Sequence, residues 1–226
     1  FPTNIAYGPG RLKEIRTICN NLNIKNPLIV TDKGSPKLPF ISNLQSYLSD
    51  SNVKSDLFFD ISPNPREDEV SVGCKKFKDG NHDAIIAIGG GSAMDGGKLI
   101  CLTANNDVPL RDFEFELTPP IISKDNPFPK IITIPTTAGT GAETEITAMV
   151  TYLKEGMKFC MWHPDVRPSL ALIDPELTIG LPANLTAWTG VDALIHAIQG
   201  YSVPGFNPMC DGAALEGLSL ISKSLV

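Results

Sequence analysis

The sequence predicts an α/β protein: a twisted parallel sheet with helices on its faces, followed from residue 181 by the beginning of an all-helical domain. Three observations lead there. Continuous apolar runs such as Pro27-Leu28-Ile29-Val30 and Ala84-Ile85-Ile86-Ala87-Ile88 lack the alternation of half-exposed strands and suit parallel strands covered on both sides. Segments of helical period separate these runs, which is the pattern of a sheet built from strand-helix-strand units. The run ending at Ile88 also stops at Gly89-Gly90-Gly91, and a helix opens at once. Ligands bind at that edge of such sheets, outside the carboxyl ends of the strands.

In chain order, residues 4–7 read as a short strand ended by Gly8-Pro9-Gly10, and 11–22 as a helix with Leu12, Ile15, Ile18 and Leu22 at helical spacing. The first core strand, 27–32, ends in the carboxylate of Asp32. A helix over 40–48, a strand over 57–60, the turn Ser62-Pro63-Asn64-Pro65 and a helix over 67–78 lead to the strand 84–88. Residues 105–130, rich in Pro, Asn and Asp, read as a surface excursion with one helical turn at 110–115. Strand 131–135 returns to the core and runs into Thr136-Thr137-Ala138-Gly139-Thr140-Gly141-Ala142-Glu143, a second hydroxyl- and glycine-rich turn at the same edge. Residues 147–162 read as a hairpin and 170–175 as the last strand. Beyond Pro182 the pattern is wholly helical. The expected division is an α/β domain over 1–180 and the start of a helical domain over 181–226.

The glycine turn has the makings of a phosphate site. Glycine lets backbone approach a ligand closely, and a helix N-terminus offers unpaired N–H groups and a positive dipole end to an anion. Two common motifs are excluded by counting. A P-loop would need Ser or Thr after Gly97-Lys98, where Leu99 stands, and G-x-G-x-x-G would need glycine at Met94. The plainer alternative is a tight strand-to-helix turn. Ser92 and Asp95 have capping-box spacing, so a cap is expected there; Thr140 and Glu143 share the spacing, and for them a cap stands as the alternative to a ligand role. Asp32 is a candidate to hold a ribose hydroxyl pair and repel a 2′-phosphate, its alternative being an ordinary turn or capping Asp.

The totals narrow the function classes. A net charge of −6 with no basic run argues against a nucleic-acid partner, which demands clustered Lys and Arg. No apolar run approaches the roughly 20 residues of a membrane span. Phe1-Pro2-Thr3 lacks the charged and apolar regions of a signal peptide, so a cytoplasmic protein is expected. The five cysteines are scattered, and buried free thiols are the expectation rather than a disulfide framework or a thiolate metal cluster. The chain begins on Phe1 and stops at Ser224-Leu225-Val226 inside an expected amphipathic helix, so a piece of a longer protein is expected.

A second candidate site lies in Gly190-Val191-Asp192-Ala193-Leu194-Ile195-His196-Ala197. Asp192 and His196 are four residues apart, hence neighbours on one helix face. A carboxylate oxygen with an imidazole nitrogen suits Fe²⁺ or Zn²⁺, while the same spacing also serves an ordinary surface hydrogen bond. His82 and His163 sit in loop-like surroundings and read as solvated. Two ligands on one helical turn predict weak metal retention by this chain. The helical portion is expected to expose apolar surface at Leu215, Leu218 and Ile221.

Together these motifs resemble the iron-containing, or group III, alcohol dehydrogenases, related in fold to dehydroquinate synthase. The resemblance rests on Ile5-Ala6-Tyr7-Gly8-Pro9-Gly10, Val30-Thr31-Asp32, Gly89-Gly90-Gly91-Ser92 with Asp95 and Lys98, the segment from Pro135 to Glu143, Leu172-Ile173-Asp174-Pro175, and the segment from Gly190 to Ala197. It implies a Rossmann-like nucleotide-binding domain, a helical domain carrying the metal, an active site between them, and a homo-oligomer when complete. Carried onto this chain, Asp32 would hold the adenosine ribose, and Asn64 with the backbone of Gly90, Gly91 and Ser92 would lie along NAD. Thr136, Thr137 and Thr140 would line its adenosine and phosphates. Thr147, Lys158, Leu177, Gly180 and Leu181 match further cofactor-contacting positions, and Asp192 and His196 match the first two metal ligands.

Two features depart from the family pattern. Gln199 stands where many members have Glu, and Gly96-Gly97 is unusual inside a helix, at about 0.8–1 kcal/mol each relative to Ala. The family's two further histidine ligands fall beyond residue 226. The implied reaction is hydride transfer between a small alcohol or carbonyl substrate and NAD, with Fe²⁺ or Zn²⁺ polarising the substrate oxygen; no side chain stands out as a general base. Alternatives are a transhydrogenase between a hydroxy acid and an oxo acid, a cyclising lyase on the same scaffold, and a non-catalytic nucleotide-binding module.

Overall fold

The computed structural model describes residues 3–50 and 53–225. Phe1 and Pro2, used above in the expectation about a signal peptide, and Val226 lie outside them. The strands are β1 (Ile5–Tyr7), β2 (Pro27–Asp32), β3 (Asp56–Ile61), β4 (Ala84–Gly89), β5 (Lys130–Pro135), β6 (Thr147–Tyr152), β7 (Met157–Trp162) and β8 (Leu170–Ile173). The helices are α1 (Ile15–Asn21), α2 (Pro39–Ser49), α3 (Glu67–Asp79), α4 (Gly91–Ala104), α5 (Ala183–Ser202) and α6 (Pro208–Ser224).

Six strands form one parallel sheet in the order β1-β8-β5-β4-β2-β3, and β6 with β7 makes a separate antiparallel hairpin. Every residue of the central strand β4 is buried, which is why its sequence shows no alternation. Side chains still point alternately to two faces. Leu28, Val30, Ile85, Ala87 and Ile131 join one apolar cluster with residues of α3 and α4. Ile29, Ile86, Ile88, Ile132 and Ile134 join the other with residues of α1 and α2. Each fully buried Ile or Leu contributes about 1.5–3 kcal/mol.

From β2 the chain moves outward to β3, returns to β4 on the other side of β2, and continues through β5 toward β8. The direction of winding therefore reverses between β2 and β4. Such a switch point leaves a crevice at the carboxyl ends of its two strands. Asp32 stands at one lip and Gly89 at the other.

Gly96 and Gly97 now have a reason. A β-carbon at Gly96 would lie 2.8 Å from Ile61 Cδ1, and one at Gly97 would lie 2.7 Å from Ala87 Cβ. Their helix cost is offset by the close seating of α4 on the sheet. This seating also fixes where the N-terminus of α4 points.

Several expectations are corrected. Residues 11–14 form a 3-10 turn before α1 begins at Ile15. No capping box starts α4: Gly90 is the N-cap without a side-chain hydrogen bond, and Ser92 is already inside the helix. Thr140 and Glu143 start no helix; the Thr140 hydroxyl accepts from the Ala142 N–H at 3.3 Å, a local turn. His82 and His163 are buried, not solvated. His82 packs on Phe77 and bonds the Asn26 carbonyl through Nδ1 at 3.0 Å. His163 lies edge-on to Phe128 and Phe113; its Nδ1 accepts from the Asp165 N–H, so Nε2 carries the proton and donates to the Pro120 carbonyl at 3.0 Å. That bond pins the excursion before β5 to the end of the hairpin. Leu215 is exposed as expected, but Leu218 and Ile221 are half-buried; Trp188, Val191, Ile195, Ile198 and Tyr201 on α5 and Met209 and Leu220 on α6 are exposed as well. Among the described residues no helix is long and apolar enough to cross a membrane.

Candidate functional site

The glycine turn and the threonine turn are joined directly. The Thr136 N–H donates to the Gly89 carbonyl at 2.9 Å, continuing the β4–β5 ladder one step past its last pair. Beyond this bond the turns face each other. A β-carbon at Gly90 would lie 3.5 Å from Thr137 Cγ2, and one at Gly91 3.0 Å from Thr140 Cγ2. The left-handed backbone falls on Gly89, with φ +144°, where a β-carbon would also meet Ala93 Cβ at 2.7 Å. Gly91 is needed for space, and Gly89 for both space and conformation.

Asp32 adjoins the same turn: its Oδ2 lies 3.1 Å from the place a Gly89 β-carbon would take. Its oxygens accept from the Gly34 N–H at 2.9 Å and the Ser35 hydroxyl at 2.8 Å. These are turn bonds, so the plainer reading of Asp32 is realised, yet two carboxylate oxygens carry about four acceptor sites and capacity for a ligand remains. Asn64, with φ +61°, closes the third side, and its N–H donates to the Ser92 hydroxyl at 3.3 Å. The hydroxyl expected to cap α4 instead receives the turn that follows β3.

The outer positions divide. Thr147 begins β6, and its hydroxyl donates to Glu145. Lys158 is exposed on β7 opposite Thr151, whose N–H bonds the Pro65 carbonyl at 2.7 Å and so ties the hairpin to the Asn64 turn. Leu177 and Gly180 line a cleft of about 550 Å³ with Gly10, Phe40 and Asn43. Leu181 lines a separate cleft with Ala138 and Thr189. Helix α5 reaches the threonine turn here, because Gly139 lies so close to the Thr189 carbonyl that no β-carbon fits.

The next turns of α5 carry Asp192 and His196, with Oδ1 and Nε2 3.6 Å apart and both side chains about half exposed. A cleft of about 620 Å³ opens beside them, lined by Gly141, His196, Gly200, Met209 and Cys210 among others. Among the described residues no group of three or more His, Cys, Asp or Glu could hold a metal ion. The donor pair fits a borderline divalent metal in type but falls short in number.

Residue-by-residue reading missed a buried ionic cluster beneath the threonine turn. Lys98 has no exposed surface; its ammonium donates to the Ala142 carbonyl at 2.9 Å and to that of Thr147, and lies 3.7 Å from Asp95. Burial lowers the Lys98 pKa, with Asp95, Glu145 and Glu143 opposing. Burial likewise pushes Asp95 up to about 6 against the pull of Lys98, and raises Glu143. The available signal was Lys98 itself, a charge heading the apolar run Leu99-Ile100-Cys101-Leu102.

A doubly wound parallel sheet with a glycine turn at its switch point, faced by the threonine turn after the neighbouring strand, defines a Rossmann-like α/β protein. The chain belongs to the iron-containing alcohol dehydrogenase family: that family's model matches residues 2–175, and the model for the Fe-containing alcohol dehydrogenase family, C-terminal, matches 186–226. It is 35% identical over 226 residues to alcohol dehydrogenase 4 of Saccharomyces cerevisiae and 33% identical over 225 residues to the NAD-dependent methanol dehydrogenase of Bacillus methanolicus. In each case the match takes in 100% of this chain and 58% of the relative, so the chain spans little more than half the length of these proteins. A 1,3-propanediol oxidoreductase structure superposes with a TM-score of 0.91 at 34% identity, covering 99% of this chain and 57% of that one. The sulfoacetaldehyde reductase of Bifidobacterium kashiwanohense in complex with NAD+ superposes at 0.86 with 32% identity, covering 99% and 58%.

Proposed function

We propose that this chain is the nucleotide-binding part, residues 1–180, and the beginning of the metal-binding part, residues 181–226, of an oxidoreductase that interconverts a small alcohol and its carbonyl compound with NAD. The observation that carries the reading is the pairing of the Gly89–Gly91 and Thr136–Thr140 turns across the Thr136–Gly89 hydrogen bond, with Asp32 beside them. The α4 N-terminus has no side-chain cap, so its amides and dipole are available to a pyrophosphate at the place where Gly91 leaves room. Asp32 accepts the adenosine ribose hydroxyls and repels a 2′-phosphate, Asn64 and Ser92 border the phosphates, and the threonine hydroxyls supply donors opposite. Thr147, Lys158, Leu177, Gly180 and Leu181 would supply further contacts to the cofactor.

Asp192 and His196 would provide two ligands for Fe²⁺ or Zn²⁺. When bound, the nicotinamide supplies the hydride acceptor and the metal a Lewis acid for the substrate oxygen. The residues of this chain orient and exclude water. Gly139 against Thr189 sets the helix that carries Asp192 and His196 against the threonine turn, which would bring a metal held there to the edge of a bound dinucleotide. Cytoplasmic location and a homo-oligomeric complete protein belong to the same reading.

Titration calorimetry with NADH and NADPH tests it. The chain should prefer NADH, and Asp32→Gly should narrow the preference by about 1–3 kcal/mol, the scale of one charged hydrogen bond. Equal affinities in the unmodified chain would overturn the assignment of Asp32, and no binding of either cofactor would overturn the site.

A further inference from the structure

We infer that Glu69 and Lys33 form a positioning pair that sets cofactor preference by holding the Lys33 ammonium away from the adenosine 2′ position; this rests on the dinucleotide reading above. Glu69 is only 5% exposed although it lies in the first turn of α3, and it gathers donors from two other segments. Its Oε1 accepts from Lys33 Nζ at 2.8 Å and the Ser62 hydroxyl at 2.5 Å, and its Oε2 from the Ser62 N–H at 3.1 Å and the Arg66 N–H at 3.3 Å. The Ser62 hydroxyl is also within 2.8 Å of Lys33 Nζ. Arg66 Nη2 approaches Oε1 at 3.5 Å. Burial works to raise the Glu69 pKa, and the bonds from Lys33, Ser62 and Arg66 outweigh it, so the group stays below its ordinary value and charged.

The segments it joins both border the proposed site, one through Asp32 at the ribose and the other through Asn64 at the phosphates. Lys33 directly follows Asp32, and its N–H bonds the Ile61 carbonyl at 3.1 Å. Ser62 and Arg66 bracket Asn64. A lysine directly after a ribose-binding carboxylate is a cation that could pair with a 2′-phosphate, and its flexible stem would let it do so. Here the ammonium is committed instead to a carboxylate and a hydroxyl on the β3 side of the crevice. Asp32 then acts on the 2′ position without a competing positive charge.

In Glu69→Gln one oxygen becomes an amide nitrogen, which cannot accept. Either the Oε1 pair of donors or the Oε2 pair is lost, whichever way the amide turns, and the charge goes with it. NADH and NADPH dissociation constants measured for each variant, with folding checked by thermal melting, test the pair. The NADPH-to-NADH affinity ratio should rise about fivefold in Glu69→Gln, the upper range of an exposed ion-pair contact. Adding Lys33→Met should return the ratio toward its starting value. Ser62→Ala, which removes one acceptor of the ammonium while sparing the carboxylate, should move the ratio the same way by about twofold and serves if Glu69→Gln does not fold. A purely structural role would weaken both cofactors in proportion, so an unmoved ratio overturns the inference. Absence of any dinucleotide binding by the unmodified chain would instead overturn the reading on which it rests.

Discussion

The Lys98 ammonium, without exposed surface, donates to the Ala142 carbonyl across a sequence distance of 44 residues. One buried cation thereby fastens the end of the threonine turn, and through the Thr147 carbonyl the start of β6, to the body of α4. Replacing it with Met would strand two carbonyls and leave Asp95 without its cation, its hydrogen bond from the Met149 backbone alone remaining. Lys98→Met should cost roughly 3–5 kcal/mol in urea unfolding. The double variant Lys98→Met/Asp95→Asn should recover part of this, because the unpaired carboxylate is gone. A loss under about 1 kcal/mol would mean that the turn holds without its cation.

Asp95 makes stability depend on pH in an unusual direction. Its folded pKa, pushed to about 6 by burial, lies above the ordinary 3.8, so the native state binds a proton more tightly than the unfolded chain. Its contribution is full below about pH 4 and is lost as pH rises through about 6. Asp95→Asn removes that titration. Relative to the unmodified chain, the variant should gain about 2–3 kcal/mol between about pH 4 and pH 7.5. Denaturant midpoints across this window check it, and parallel curves would place the Asp95 pKa near its ordinary value.

The glycines of the turn should separate by phenotype. Gly89→Ala forces a β-carbon onto φ +144° and into Ala93, and should cost about 2–3 kcal/mol of stability. In Gly91→Val the added β-carbon meets Thr140, its methyl at 3.0 Å, and a side chain on a turn can shift by a few tenths of an ångström, so most stability should remain while NADH affinity falls at least about tenfold, or 1.4 kcal/mol. Ser92→Ala should weaken binding less, since it loses the Asn64 contact rather than a helix cap. Unchanged NADH titration of Gly91→Val would remove the turn from the site.

Thr31 offers a stabilising change. Its hydroxyl is buried without a hydrogen-bond partner beside Gly89. Valine has nearly the same shape and no polar atom to satisfy. Thr31→Val should raise stability by about 1 kcal/mol, or about 2–4 °C in Tm for a chain of this size. A lowered Tm would show that the hydroxyl has a partner such as an ordered water.

What the sequence determined by itself was whatever depends on short-range periodicity and on residues whose chemistry acts within a turn. Strand β2 was legible to the residue because a strand buried on both faces leaves an unbroken apolar run, and Asp32 marks its end. Facing glycine and threonine turns at one edge followed from strand order. Asp192 and His196 were legible as neighbours because helical spacing alone brings them to 3.6 Å. The tertiary structure decided what depends on partners distant in the chain. His82 and His163 looked solvated because their own neighbours are polar or loop-forming, but aromatic rings from other segments cover them. Ser92 had the spacing of a cap, yet the Asn64 turn arrives from β3 and takes its hydroxyl. Glu69 and Lys98 are charged residues on helices, ordinarily solvated; each is buried because donors or acceptors from two other segments converge on it. A charge can leave water only where such partners replace hydration, and no local pattern records where they will come from.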